Sequence, residues 1–90
     1  MYSRAKITIK GLIQGIGFRR FLKGNALKLN LKGYAKNMLN NEVELTIEGS
    51  KESIDKMIEI CKKGSKFSII NEVNVKLENY KSEFTSFEIK

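Results

Sequence analysis

Residues Gly11–Arg19 read Gly-Leu-Ile-Gln-Gly-Ile-Gly-Phe-Arg and lie between two segments of different apolar periodicity. The segment before them alternates apolar and polar residues, as strands do, and the segment after them has helical spacing. A glycine-rich turn at the start of a helix can bind an anion, because its backbone bends so that several N–H groups converge and the helix adds partial positive charge. We call residues Gly11–Arg19 the glycine loop. Its composition and position predict an anion-binding site at the start of the helix.

Arginine usage supports this prediction. The chain has only three arginines, Arg4, Arg19 and Arg20, among 17 cationic residues. Arg19 is predicted in the first helical turn, where its planar guanidinium can fold back over the glycine loop and match two phosphate oxygens. The alternative is an exposed arginine pair after an ordinary turn. The spacing matches neither a Walker loop nor a dinucleotide fingerprint.

Composition excludes several classes of chemistry. The chain has 90 residues, a formal net charge of +7, no histidine and one cysteine, Cys61, which we predict to be buried. The lack of histidine excludes a Ser-His-Asp triad and histidine metal ligands. One cysteine cannot form an internal disulfide, and no signal peptide or transmembrane run is visible, so we expect a cytoplasmic protein. The positive charge favours anionic partners or reflects surface solvation alone.

Apolar spacing predicts two helices and four or five strands. The predicted strands are Lys6–Lys10, Lys32–Asn37, Val43–Ile47, Val73–Leu77 and a short one carrying Phe87 and Ile89, and the helices are Phe18–Leu29 and a segment between Ser50 and Gly64. The order β-α-β-β-α-β plus a terminal strand predicts an α+β, ferredoxin-like sandwich in a single domain over residues 1–90. In that fold an antiparallel sheet of four to five strands carries two helices on one face.

Three details of this prediction concern turns and loops. Asn40-Asn41 is predicted as a hairpin turn, because asparagine tolerates positive φ. Glu48–Ser50 is predicted to break the third strand, with Ser50 capping the second helix. Ser65–Asn71 is predicted as a loop whose Phe67, Ile69 and Ile70 turn inward.

The predicted topology brings two polar side chains together. The first and second strands run parallel with the third strand between them, so their ends meet at one edge of the sheet. The glycine loop follows the first strand, and Asn37 ends the second, about 10 Å away across two strand spacings. We therefore expect Arg19 and Asn37 to reach a common small anion.

The glycine loop resembles the hallmark motif of the acylphosphatase family, Gly-x-Val-Gln-Gly-Val-Gly-Phe-Arg, with isoleucine at both valine positions. Gly33–Asn37 is similar to the second family motif, Gly-x-Val-x-Asn, with Ala35 in place of valine. Glu48-Gly49 and Phe87–Ile89 are similar to the strand ends that follow in that family. The resemblance covers essentially the whole chain.

The resemblance implies a monomeric enzyme without metal or cofactor that hydrolyses the carboxyl–phosphate bond of small acyl phosphates, giving carboxylate and inorganic phosphate. It implies that Arg19 binds the phosphate and that Asn37 orients the attacking water. The implied substrate-binding residues are Gln14, Gly15, Ile16, Gly17, Phe18 and Arg19. It also implies that a phosphate oxygen of the substrate takes the proton of the water, and that neither nucleic acid nor membrane is a partner.

Two other functions remain open at this stage. One is a non-catalytic module that binds phosphate anions or nucleic acid, as ferredoxin-like sheets can do through aromatic residues on an open face. The predicted open face carries instead Glu42, Glu44, Thr46 and Glu48. The other is a domain for carbamoyl phosphate chemistry, as in hydrogenase-maturation factors, where such a domain is joined to others.

Overall fold

Seven secondary-structure elements follow one another in the computed structural model, which describes all residues from Met1 to Lys90. They are β1 (Tyr2–Leu12), α1 (Phe18–Lys28), β2 (Lys32–Asn37), β3 (Glu42–Ser50), α2 (Lys51–Lys63), β4 (Ile69–Glu78) and β5 (Phe87–Ile89). The number and order of elements agree with the ferredoxin-like α+β fold predicted from the sequence. Helix α1 begins at the predicted residue and ends one residue earlier than expected.

The five strands form one sheet in the order β4-β1-β3-β2-β5. β1 is antiparallel to β3 and β4, and β2 is antiparallel to β3, so β1 and β2 run parallel on either side of β3 as predicted. β5, however, is parallel to β2, so the sheet is mixed and the prediction of a purely antiparallel sheet was wrong. The reason is that residues 79–86 do not form a hairpin with β4 but lead the chain to the opposite edge of the sheet.

Both helices pack on one face of the sheet around a single apolar core. The core includes alternating residues of β1 (Ala5, Ile7, Ile9) and β3 (Val43, Leu45, Ile47), with Phe18, Leu22 and Ala26 from α1 and Ile54, Met57 and Cys61 from α2. Cys61 is fully buried as predicted, and this burial raises the pKa of its thiol to about 12. Neither helix is long and apolar enough to cross a membrane.

Two local features, a turn and a helix cap, lie where the sequence predicted them. Asn40 and Asn41 have φ angles of 61° and 59°, the left-handed conformation that asparagine tolerates, and they join β2 to β3. The Ser50 hydroxyl accepts a hydrogen bond from the Ser53 N–H at 3.1 Å and so caps α2. These two features fix where β3 begins and where it gives way to α2.

The predicted break at Glu48–Ser50 was wrong, because β3 continues to Ser50 and α2 starts at the next residue. The strand is extended because β1 is longer than its apolar alternation indicated. Ser3 and Tyr2 of β1 pair with Gly49 and Ser50, so the last residues of β3 keep a backbone partner.

The predicted inward loop at Ser65–Asn71 was also wrong in part. β4 already begins at Ile69, which pairs with Leu12 at the end of β1. Because successive strand residues face opposite sides of the sheet, Ile70 packs against the core while Ile69 is 56% exposed. Phe67 lies in the preceding turn and is 73% exposed.

The sheet face opposite the helices is less open than predicted. Glu48 is only 3% exposed, because its carboxylate accepts hydrogen bonds from the N–H groups of Lys81 and Glu83 and pairs with Arg4 at 3.1 Å. Arg4 also contacts Glu78 and Glu83. Burial alone would raise the pKa of Glu48, but these hydrogen bonds outweigh burial and lower it. The segment 79–86 is thus anchored on this face by Glu48.

Candidate active site

The glycine loop folds into a left-handed turn at two of its glycines. Gly15 has φ 78° and Gly17 has φ 77°, a region that side-chain-bearing residues adopt only with strain. A Cβ atom at either position would meet no atom within 4 Å. The two glycines are therefore required by the backbone conformation of the loop and not by close packing.

The start of α1 leaves backbone donors available at this loop. Gly17 precedes the first helical residue, provides no side-chain cap, and no acidic residue follows in the first turn. The first hydrogen bond of the helix runs from the Phe21 N–H to the Gly17 carbonyl at 3.0 Å. The N–H groups before Phe21 have no acceptor within the helix, so this end of α1 is suited to an anion.

A cavity of about 340 Å³ opens at the loop, and we call it the loop cavity. Its polar and loop residues are Gly15, Gly17, Phe18, Arg19, Arg20 and Asn37. Of the residues that the sequence assigned to the site, Gly15, Gly17, Phe18, Arg19 and Asn37 thus lie around one cavity. Gln14 and Ile16 do not line it.

Arg19 is held from one side. Its Nη1 donates a hydrogen bond of 2.8 Å to the backbone carbonyl of Lys90, just beyond β5. Lys90 is itself fixed, because its N–H donates to the Ala35 carbonyl at 2.8 Å and its ammonium lies 4.3 Å from the Tyr34 ring centroid. Sequence analysis missed Lys90, since no sequence signal indicates that β5 lies beside β2.

The charged side chains that line the loop cavity are all positive. Its residues include Arg19 and Arg20 and no carboxylate, and neither arginine forms a salt bridge. The remaining walls are apolar and come from Ile13 and Ile89. A site of this kind favours a small anion. No three His, Cys, Asp or Glu side chains come together as metal ligands.

Asn37 closes β2 and faces this cationic cavity. Its backbone pairs with Val43 of β3, so the position of its Cα is set by the sheet. No protein group forms a hydrogen bond with its side-chain amide, whose oxygen can accept and whose nitrogen can donate.

The Gln14 side chain forms hydrogen bonds with backbone groups of the protein. Its Nε2 donates to the backbone carbonyls of Met38 at 2.7 Å and Glu42 at 2.9 Å. The Met38 N–H also donates to the Glu42 carbonyl, at 2.7 Å. Gln14 therefore ties the glycine loop to the hairpin that follows Asn37, a contact that the sequence analysis did not foresee.

Comparison with known proteins identifies the family of this arrangement. The family model for acylphosphatase matches residues 5–89. The chain belongs to the acylphosphatase family. The predictions of the family and of an enzyme of the acylphosphatase type are thereby confirmed.

Individual acylphosphatases are similar over nearly the whole chain. A curated acylphosphatase from Aeropyrum pernix is 38% identical over 88 residues, which are 97% of this chain and 87% of that protein. The crystal structure of acylphosphatase from Bacillus subtilis aligns with a TM-score of 0.93 at 31% identity, covering 100% of this chain and 99% of that one. The fold class predicted from the sequence is confirmed by this likeness.

A larger protein also contains a similar section. The structure of full-length HypF in its phosphate- and nucleotide-bound form aligns with a TM-score of 0.90 at 32% identity. The alignment covers 100% of this chain but only 12% of HypF. The acylphosphatase fold thus occurs both alone and within longer chains.

Proposed function

We propose that this chain hydrolyses the carboxyl–phosphate bond of small acyl phosphates, giving a carboxylate and inorganic phosphate. The observation that carries the proposal is that Arg19 and Asn37, from different elements, line one cationic cavity without any carboxylate. Membership of the acylphosphatase family supports the reaction class. The roles of the individual residues follow from their chemistry.

Arg19 and the loop amides bind the phosphoryl group in this proposal. A guanidinium has five N–H donors, and Lys90 occupies only Nη1 of Arg19. The tether reduces the rotational freedom of the side chain, while donors remain for two phosphate oxygens. The N–H groups between Gly15 and Phe18 hold the other oxygens, as the unused donors at the start of α1 allow.

Asn37 orients the attacking water. Its amide oxygen accepts a hydrogen bond from the water and its nitrogen donates to a phosphate oxygen, which fixes the nucleophile on one side of the phosphorus. The oxygen of the water bonds to phosphorus, the bond from phosphorus to the acyl oxygen breaks, and the carboxylate leaves with that electron pair. The water proton passes to a phosphate oxygen, so no histidine is needed as a base.

The leaving group explains the restriction to acyl phosphates. A carboxylate carries its negative charge readily, whereas an alkoxide from a simple monoester needs a proton from an acid. The loop cavity offers no carboxyl or histidine side chain that could supply it. We propose further that the enzyme acts in the cytoplasm as a monomer, without metal, cofactor, nucleic acid or membrane.

Release of inorganic phosphate from acetyl phosphate and benzoyl phosphate tests the proposal. We expect hydrolysis of both that persists in EDTA, with little release from p-nitrophenyl phosphate. Carbamoyl phosphate belongs in the same assay, because the sequence left a domain for carbamoyl phosphate chemistry open as an alternative. Binding of inorganic phosphate without hydrolysis of any acyl phosphate would instead favour the non-catalytic anion-binding module.

A further inference from the structure

A second groove lies beside the loop cavity. Its walls include Ile16, Gly17, Arg20, Phe21, Lys66 and Phe67, and its volume is about 570 Å³. Gly17 and Arg20 line both the groove and the loop cavity, so the two spaces share a wall. A ligand bound at the glycine loop therefore lies next to this groove, which we call the side groove.

The side groove is apolar along much of its length. Phe67 is 73% exposed and Ile16 is 38% exposed, and the half-buried Phe21 of α1 also lines the groove. The Lys66 ammonium lies 5.8 Å from the Phe67 ring centroid. Two cations, Arg20 and Lys66, thus border an exposed aromatic surface. Such a surface suits a ligand in which an apolar group is joined to an anionic group.

Strand order puts this groove on one flank of the glycine loop and Asn37 on the other. The loop leaves the end of β1, and β1 lies between β4 and β3. Phe67 precedes β4, whose first residue, Ile69, pairs with Leu12 at that same end of β1. Asn37 ends β2, which lies beyond β3 in the opposite direction.

In-line displacement determines on which side of the phosphorus the acyl group of the substrate lies. The entering oxygen and the leaving oxygen lie on opposite sides of the phosphorus in phosphoryl transfer. If Asn37 holds the water on the β2 side, the leaving carboxyl oxygen points to the β4 side. The acyl group that is attached to this oxygen is then directed into the side groove.

We propose that the side groove binds the acyl group of the substrate and favours acyl phosphates with an aromatic or branched apolar acyl group. Phe67 and Ile16 contact the apolar body, and Arg20, on the shared wall, donates to the carboxyl oxygen. This inference rests on the proposed function, since it takes the water to be held by Asn37. It assigns to Phe67 a role in substrate choice and none in the chemical step.

The test compares kcat/KM for benzoyl phosphate and acetyl phosphate in the wild type and in Phe67→Ala. We expect Phe67→Ala to lower kcat/KM for benzoyl phosphate about 3- to 10-fold, the range of an aromatic contact. The value for acetyl phosphate and inhibition by inorganic phosphate stay unchanged. Differences in intrinsic reactivity between benzoyl phosphate and acetyl phosphate do not affect the comparison, because each substrate is compared with itself in the wild type and in Phe67→Ala.

Two control variants separate contact from stability. Phe67→Tyr keeps the ring and is expected to retain the preference for benzoyl phosphate. Leu77→Ala removes an apolar side chain that is 55% exposed at the far end of β4, opposite Ala5, and is expected to change neither substrate. Circular dichroism checks that each variant is folded.

Three results would overturn the inference. Unchanged kcat/KM values for both substrates in Phe67→Ala would refute the role of the side groove while leaving acyl phosphate hydrolysis intact. Equal losses for both substrates would assign Phe67 to loop conformation and not to acyl recognition. Failure of the wild type to hydrolyse either substrate would refute the proposed function itself.

Discussion

Gln14 and Met38 are joined by a hydrogen bond of 2.7 Å from the side-chain Nε2 to the backbone carbonyl. Because Met38 directly follows Asn37, this contact links the loop that is proposed to hold the phosphate to the residue that is proposed to hold the water. A second bond, to the Glu42 carbonyl, fixes the other side of the same hairpin. The sheet sets the distance between the two parts of the candidate site, through the pairing of β1 and β2 with β3, and the Gln14 amide nitrogen adds a direct link between them.

Replacing Gln14 is expected to affect turnover more than phosphate binding. Gln14→Ala removes both hydrogen bonds, and Gln14→Glu keeps the size but cannot donate to two carbonyls when ionised. We expect each to lower kcat about 10- to 100-fold through misplacement of Asn37. Inhibition by inorganic phosphate should stay near the wild-type value. Parallel losses of kcat and phosphate binding would mean that Gln14 acts on the whole loop.

Arg19→Ala is expected to weaken both catalysis and phosphate binding, because the guanidinium is proposed to contact the phosphoryl group of substrate and product alike. We expect kcat/KM to fall on the order of 10²–10³-fold. Arg19→Lys keeps the charge but loses the fork and should rescue little. Arg20→Ala, in the same turn, is expected to weaken phosphate inhibition much less than Arg19→Ala, because Arg20 is proposed to contact the carboxyl oxygen and not the phosphoryl group. Near-full activity of Arg19→Lys would show that only charge matters there.

Asn37→Ala should separate the two functions of the site. A neutral amide adds little to the attraction of a phosphate, so inhibition by inorganic phosphate is expected to persist. Turnover should fall by about 10²-fold, because an unfixed water rarely attacks in line. Steady-state kinetics and phosphate inhibition measure the two effects. A folded, fully active variant would leave Asn37 as a strand-end residue only.

Added salt is expected to lower kcat/KM more than kcat. A chain with net charge +7 attracts a dianionic substrate at long range, and this attraction is screened over about 8 Å at ~0.15 M ionic strength. The value of kcat changes less, since it reports the bound substrate. Potassium chloride titration at fixed pH provides the measurement. A flat profile of kcat/KM would assign the charge to surface solvation.

The Glu48 network predicts a pH dependence of stability. The folded-state pKa of Glu48 lies below its ordinary value of 4.5, so its contribution is fully present above that pH and is lost as pH falls through the folded value. Glu48→Gln should lower the free energy of unfolding at pH 7 by about 1.5–3 kcal/mol. The difference from the wild type should shrink in acid.

Denaturant unfolding between pH 2 and 7 measures this effect. Glu52→Gln is the matched control, because the Glu52 side chain is 81% exposed and pairs only with Lys56 on the helix surface. It should change the free energy of unfolding little at any pH. A pH-independent difference for Glu48→Gln would show that packing, not charge, accounts for the role of Glu48.

The parts of the fold that were predictable depend on neighbouring residues. The glycine loop, the Asn40-Asn41 turn and the Ser50 cap each have a short-range cause, and the structure has them where the sequence placed them. The inward orientation of Phe67 and Ile69 was wrong, because apolar character alone says neither which side of a strand a residue such as Ile69 occupies nor whether a turn residue such as Phe67 is covered.

Long-range contacts were not predictable in this way. The position of β5 beside β2 depends on the path of residues 79–86, which have no regular pattern. The hydrogen bond between Arg19 and Lys90 follows from that path, as does the burial of Glu48. For Gln14, the motif indicated importance but not its partners, because two backbone carbonyls leave no trace in the side-chain sequence.

The contact between Arg19 and the Lys90 carbonyl spans 71 residues of sequence. It depends on β5, which is the last strand of the chain, is only three residues long and lies at an edge of the sheet. The helices and the central hairpin can thus be in place while the guanidinium still lacks its anchor. Recovery of enzymatic activity is therefore expected to require the docking of this short strand, whereas a secondary-structure signal comes mainly from the six longer elements.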